Sequence, residues 1–79
     1  MSVRCPCCGY RTLTEPAAFE ICAVCCWEDD GQSDADAGIV RGGPNGALSL
    51  SAARENFART GACDPNFAPR VRAPKPEEL

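Results

Sequence analysis

Cys5-Pro6-Cys7-Cys8-Gly9 and Cys22-Ala23-Val24-Cys25 decide how this chain folds, because they form two C-x2-C hooks with 13 residues between Cys8 and Cys22. The spacing has a chemical reason. A tight turn places both sulfurs of a hook on one side, and N–H groups inside the turn donate to them and favour the thiolates. Pro6 presets one turn dihedral, and Gly9 follows the second sulfur with a residue that accepts positive φ. Two such hooks close a tetrahedral S4 site, with Zn–S near 2.3 Å. The predicted ligands are Cys5, Cys8, Cys22 and Cys25 around one Zn2+. A closed S4 site has no open coordination position, so the expected role of the metal is structural. A Cys22–Cys26 pair is the open alternative for the second hook, at the expense of a looser turn. Position 26 is cysteine where glycine would suit the turn; if it takes a left-handed backbone it costs roughly 1–2 kcal/mol.

Composition explains why a metal is needed. The chain has 79 residues, 7 of them cysteine, a share in the range of disulfide scaffolds and metal sites. Only 13 residues are Leu, Ile, Val or Phe, about 16% and below the ~20% at which a core becomes hard to build. A single apolar core of this size seldom supplies more than ~3–5 kcal/mol. Structural zinc contributes on the order of 10–16 kcal/mol in small fingers, enough to make up the difference. The length excludes a Rossmann fold, a barrel or a second lobe. No apolar run approaches the ~18 residues of a membrane span, and no charged-then-apolar leader opens the chain. The cytoplasm is therefore the expected compartment, where thiols stay reduced and clustered cysteines act as metal ligands or redox groups.

Charge narrows the partners. The formal net charge is −3, and five acids (Glu28, Asp29, Asp30, Asp34 and Asp36) fall within residues 27–37. A nucleic-acid module would carry a basic stripe, so nucleic acid is disfavoured and a protein partner is expected. Histidine is absent, which removes the commonest general base and every Cys–His or Ser–His arrangement. The expectation is that the protein is not an enzyme. The acids do not reproduce a calcium loop, and Gly42-Gly43-Pro44-Asn45-Gly46 lacks the lysine of a phosphate loop. That stretch is read as turns leading into a helix.

Tyr10–Leu13 and Phe19–Ile21 alternate apolar and polar and predict two short strands around a turn at Pro16. Ile39-Val40 suggests a further extended piece. A helix is predicted from Leu50 to Arg59 or Thr60, with Ser49 as N-cap and Gly61 as its left-handed stop. Leu50, Ala53 and Phe57 form its apolar stripe. Arg54 is placed to pair with the acidic loop. Residues 1–62 read as a single domain with a helix at about 50–60, and 63–79, with Pro65, Pro69, Pro74 and Pro76, as an extended or partly disordered tail.

Three features have two readings each. Trp27 either covers the metal site or core, with the neighbouring carboxylates solvated, or the run is a recognition patch for a basic partner surface with Trp27 or Gln32 as anchor. Cys7, Cys26 and Cys63 are either small buried fillers or thiols with redox or metal chemistry, Cys7 being the better candidate because it lies inside a hook. Cys5-Pro6-Cys7-Cys8 matches a glutaredoxin tetrapeptide, but that chemistry opens a helix in a βαβ frame, whereas Gly9-Tyr10 and a strand are predicted here.

At these residues the chain resembles the bacterial cysteine-rich CPCC family. The likeness is carried by Cys-Pro-Cys-Cys-Gly-Tyr at 5–10, Glu-Ile-Cys-Ala-Val-Cys at 20–25 and Trp-Glu-Asp-Asp-Gly-Gln at 27–32. Gly43-Pro44-Asn45, Ser49-Leu50 and Ala53-Arg54-Glu55-Asn56-Phe57 extend it. Members often have proline in the second hook and an aromatic residue after it, where this chain has Ala23 and Cys26. The resemblance implies a zinc-ribbon-like domain with its metal on Cys5, Cys8, Cys22 and Cys25, and no established molecular activity. The combined expectation is a small metal-stabilised α+β fold, with zinc-ribbon or rubredoxin-like knuckles on short β-hairpins, one C-terminal helix and an extended tail. The leading function is a zinc-binding protein-interaction module. The alternatives are a redox or rubredoxin-like iron protein, since Cys-x2-Cys-Gly-Tyr also resembles that protein's first hook, and a nucleic-acid-binding zinc ribbon.

Overall fold

Ser49 and Gly61 bound the one α-helix of the computed structural model, which describes residues 2–79. This helix, α1, runs Leu50–Thr60. The Ser49 side chain accepts the Ala52 N–H, and Gly61, at φ 81°, donates its N–H to the Phe57 carbonyl at 2.8 Å. Both ends of α1 thus satisfy groups that a helix leaves orphaned. Leu50 and Ala53 are fully buried, and Phe57 meets Tyr10 edge-on with ring centroids 6.4 Å apart. Three turns of helix are marginal alone, and side chains tie α1 to the first hook. The Arg54 Nε donates to the Pro6 carbonyl at 2.9 Å, and Arg54 Nη2 lies 2.7 Å from Asp34 Oδ1. The predicted Arg54 pairing with the acidic loop is therefore present.

The predicted β-hairpins are not. Among the described residues there is no strand and no sheet, only the isolated antiparallel bridges Val3–Leu13 and Ile21–Glu28. The α+β, zinc-ribbon-like expectation is corrected to a chain made mostly of turns and loops around one α-helix. The reason lies between the hooks. The two predicted strands do not pair with each other: Leu13 exchanges bonds with Val3 and the Phe19 N–H donates to the Asp29 carbonyl, while the Thr14 and Glu15 N–H groups of the connecting turn donate to the Glu20 carboxylate at 3.1 and 2.9 Å. Ala17 and Phe19 take φ of 55° and 59°, a region no strand uses. Alternation of side chains was present in the sequence, but the backbone donors had a nearer acceptor. Ile39-Val40 likewise has no regular structure.

Three short 3-10 segments complete the architecture, at Asp34–Asp36, Pro65–Arg70 and Pro76–Glu78. Residues 63–79 do not run extended throughout. Asp64 caps the Pro65–Arg70 turn by accepting the Asn66 N–H, Phe67 packs against the core, and the Arg11 N–H donates to the Glu78 carbonyl at 2.8 Å. Arg72 grips the Glu78 carboxylate with two parallel bonds of 2.7 and 2.8 Å. No helix among the described residues is long and apolar enough to cross a membrane. The buried core is one cluster of eleven residues, five of them cysteine, so sulfur occupies much of the place that aliphatic side chains fill elsewhere.

The Arg72 clasp has a pH signature. Its hydrogen bonds, with one from the Lys75 N–H, pull the Glu78 carboxyl down from 4.5 to about 2. A depressed folded value means the stabilisation is present above the ordinary carboxyl pKa and is lost as pH falls toward 2. In carboxyl-carbon NMR, the Glu78 signal is expected to stay on its carboxylate plateau from pH 7 to 5. An unclasped glutamate would already be about a quarter protonated at pH 5, and Arg72→Ala should restore that behaviour.

Candidate metal centre

Each hook is built by the same two backbone bonds. In the first, the Cys5 N–H donates to the Tyr10 carbonyl and the Gly9 N–H to the Cys5 carbonyl, both at 2.8 Å. In the second, the Cys22 N–H donates to the Trp27 carbonyl at 2.9 Å and the Cys26 N–H to the Cys22 carbonyl at 2.8 Å. The closing residue of each turn is left-handed, Gly9 at φ 80° and Cys26 at φ 69°. Glycine takes that conformation freely; cysteine does not. The strain anticipated at position 26 is therefore real.

The turns bring the Sγ atoms of Cys5, Cys8, Cys22 and Cys25 within 4.8 Å of one another. Cys5 to Cys25 is 3.6 Å and Cys8 to Cys22 is 3.7 Å. Sulfur–sulfur bonding at about 2.05 Å is excluded at these distances. A tetrahedron with metal–sulfur bonds near 2.3 Å has edges of about 3.8 Å, which the Cys5–Cys25 and Cys8–Cys22 separations match, and all four sulfurs are close enough to share one ion. The donor set fits a metal ion. Cys5, Cys22 and Cys25 are buried and Cys8 is half-buried, so solvent reaches the cluster from the Cys8 side.

Electrostatics single out Cys22. Thiol hydrogen bonds from Cys25, Cys5 and Cys8 hold its pKa well below the ordinary value, and the Thr12 hydroxyl adds a 2.9 Å bond to its sulfur. The same sharing, with Cys22 as the main partner, pushes Cys25, Cys5 and Cys8 up. A cation entering the cluster would have to displace the protons that its thiols carry. Four thiolates around a divalent ion leave a net −2, which the Thr12 hydroxyl and the Trp27 N–H, 3.5 Å from Cys25 Sγ, help to solvate.

The three other thiols lie outside this group, and among the described residues no second cluster of metal-ligating side chains occurs. Cys7 and Cys63 are buried in the core and Cys26 packs partly against it. Burial, helped by the nearby Cys7 and Cys26, pushes the Cys63 thiol up to about 12, which makes it a poor nucleophile and a poor ligand.

The run after the second hook is structural. Trp27 is fully buried and Gln32 is 3% exposed, so neither is available as a surface anchor. Asp29 is also buried and accepts the Ala17 and Gly31 N–H groups. The Gln32 Nε2 donates to the Asp36 and Ile39 carbonyls, and Arg41 pairs with Asp36 at 2.7 Å. Four of the five acids, Asp29, Asp30, Asp34 and Asp36, thus organise a loop instead of presenting a uniform negative face. Two contributors were missed from sequence. Thr12 was read only as a strand residue, and nothing in its spacing marks it as a sulfur donor. Asn45 was read as a turn residue, yet its side-chain amide donates to the Glu28 carbonyl at 2.8 Å and accepts the Glu28 N–H at 3.1 Å.

A family model described as cysteine-rich CPCC matches residues 3–78. The chain therefore belongs to the cysteine-rich CPCC family. No curated protein matches it.

The geometry separates ligand from filler. Cys22→Ala should abolish metal retention and the cooperative unfolding transition. Cys63→Ala should keep one metal per chain and lose about 1 kcal/mol or somewhat more, as small core truncations do. Inductively coupled plasma metal analysis with thermal melts reads both. The hook backbone gives a second pair: Cys26→Gly is expected to stabilise the loaded protein by about 1 kcal/mol and Gly9→Ala to destabilise it by about 1–2 kcal/mol. The Gly9 substitution acts through φ alone, since a Cβ there meets nothing within 4 Å.

Proposed function

We propose that this CPCC-family protein is a non-enzymatic domain that folds around one structural Zn2+ and offers its surface to a protein partner. The observation that carries the reading is the close cluster of the Cys5, Cys8, Cys22 and Cys25 sulfurs. Bound there, zinc would cross-link the two hooks, supplying folding energy and no reactive position, because four protein ligands fill its coordination sphere. The Thr12 hydroxyl would orient the Cys22 sulfur toward the ion.

Several features support a binding role over catalysis. The chain has no histidine, and Asp29, Asp30 and Asp36 are engaged in loop contacts. A net charge of −3, with zinc thiolates adding −2, disfavours nucleic acid and membrane surfaces alike. All seven cysteines are unpaired, which suits the reducing cytoplasm. Exposed Phe19, Ile21, Ile39 and Val40 are the kind of apolar residues a partner covers.

Protein purified without added metal should carry one zinc per chain and be colourless. Less than one tightly held zinc would overturn the reading. Visible thiolate-to-iron absorption would favour the rubredoxin-like alternative, since tetrahedral S4 sites also suit iron.

A further inference from the structure

Residues 71–79 come back to the metal centre. The Arg11 N–H donates to the Glu78 carbonyl at 2.8 Å, and the next residue, Thr12, donates its hydroxyl to Cys22 Sγ at 2.9 Å. Tyr10, whose carbonyl closes the first hook, lines a cavity of about 320 Å3 with Val71 and Arg72. Val24, inside the second hook, lines the same cavity. The segment therefore touches both hooks from outside. One peptide bond separates its anchor at Arg11 from the sulfur donor at Thr12.

More than an ordinary surface ion pair holds the segment there. An exposed pair contributes little on average, but the Arg72 guanidinium takes the Glu78 carboxylate in two bonds of 2.7 and 2.8 Å. The Lys75 N–H adds a third at 2.8 Å, and the Glu78 side chain is only 12% exposed. Bidentate, charge-assisted bonding of this kind is the strong form. Pro74 and Pro76 stand inside the loop that the clasp closes, so less chain entropy is lost when it shuts. Arg72 also carries its charge toward the cluster. The Glu78 hydrogen bonds raise its pKa most, and the charge of Cys22 contributes as well. Four thiolates around a divalent ion have a net −2, which favours a cation beside them.

We propose that residues 71–79 form an outer strap of the metal centre, in which Arg72, locked on Glu78, keeps the Thr12 hydroxyl on Cys22 and slows loss of the ion. The inference rests on the zinc reading above and gives a role to a segment that contains no ligand. Its contacts run in series from the clasp to the Glu78 carbonyl, the Arg11 N–H, the Thr12 hydroxyl and the Cys22 sulfur. Opening the clasp releases the Glu78 carbonyl from Arg11, and Thr12 is then no longer held at the sulfur. Cys22 is paired at 3.7 Å with Cys8, the half-buried member of the four. A competing ligand enters along that edge.

Transfer of zinc from the loaded chain to a chromogenic chelator, followed by absorbance, reads the strap as a rate. Arg72→Ala and Glu78→Gln should each carry one zinc per chain and release it about fivefold faster or more. Arg41→Ala, which removes the comparably exposed Arg41–Asp36 pair of the acidic loop, should release at the wild-type rate. Thr12→Val should also release faster. Adding Arg72→Ala to it should change the rate little further, because both act on one contact. Clasp variants that release at the wild-type rate, an equal acceleration in Arg41→Ala, or effects that multiply in the double variant overturn the inference. Metal analysis of the same samples separates these failures from failure of the zinc assignment. In that case the wild-type chain itself carries less than one zinc, and the strap has nothing to retain.

Discussion

The gathering of four cysteine sulfurs within 4.8 Å of one another governs this molecule. Cys5 to Cys25 at 3.6 Å and Cys8 to Cys22 at 3.7 Å can be met only if both hooks turn with the same hydrogen bonds and face one another. That constraint fixes residues 5–10 and 22–27 as a rigid unit, with the Trp27 carbonyl closing the second turn and Trp27 itself buried behind it. The remaining elements are arranged around this unit. Helix α1 reaches it through Arg54 and the Pro6 carbonyl, and residues after the helix reach it through the Cys63 N–H on the Cys25 carbonyl.

A centre this strongly determined lets the rest of the chain depart from regular structure. Local strain survives where the surroundings over-determine it, and here Cys26, Ala17 and Phe19 all keep positive φ within ten residues of one another. Side chains take over work that a sheet would do. The Glu20 carboxylate collects the Thr14 and Glu15 N–H groups, the Asp29 carboxylate collects those of Ala17 and Gly31, and the Asn45 amide satisfies both backbone groups of Glu28. Each carboxylate accepts several short donors, the geometry in which a charge-assisted hydrogen bond is strongest. Most of the acidic run is thereby converted from a surface charge into scaffolding, and the large hydrophobic side chains left exposed nearby are Phe19, Ile21, Ile39 and Val40.

Legibility from sequence followed the range of the interaction. The hooks were readable because C-x2-C geometry is set within four residues, and helix α1 was readable to its ends because Ser49 and Gly61 cap it locally. The strain at Cys26 was readable because glycine suits that position of a second hook. The strands were misread for a reason the pattern could not contain: alternation describes where side chains point, not which acceptor the backbone N–H groups will find. Trp27 and Gln32 left open whether they faced the core or solvent, since both are compatible with a polar loop until the fold closes over them.

By itself, the amino-acid sequence determined the four-cysteine cluster, the turns that present it, the capped helix and the shortage of aliphatic core. These follow from covalent spacing and local hydrogen bonding. Tertiary structure alone decided that no sheet forms, that Thr12 serves Cys22, that three spare thiols are packed instead of poised, and that the Asn45 amide takes both backbone groups of Glu28. Those outcomes depend on groups 10 to 20 residues apart competing for the same donors. Such competition is settled by which partner arrives within hydrogen-bond distance, and only the folded chain sets that distance.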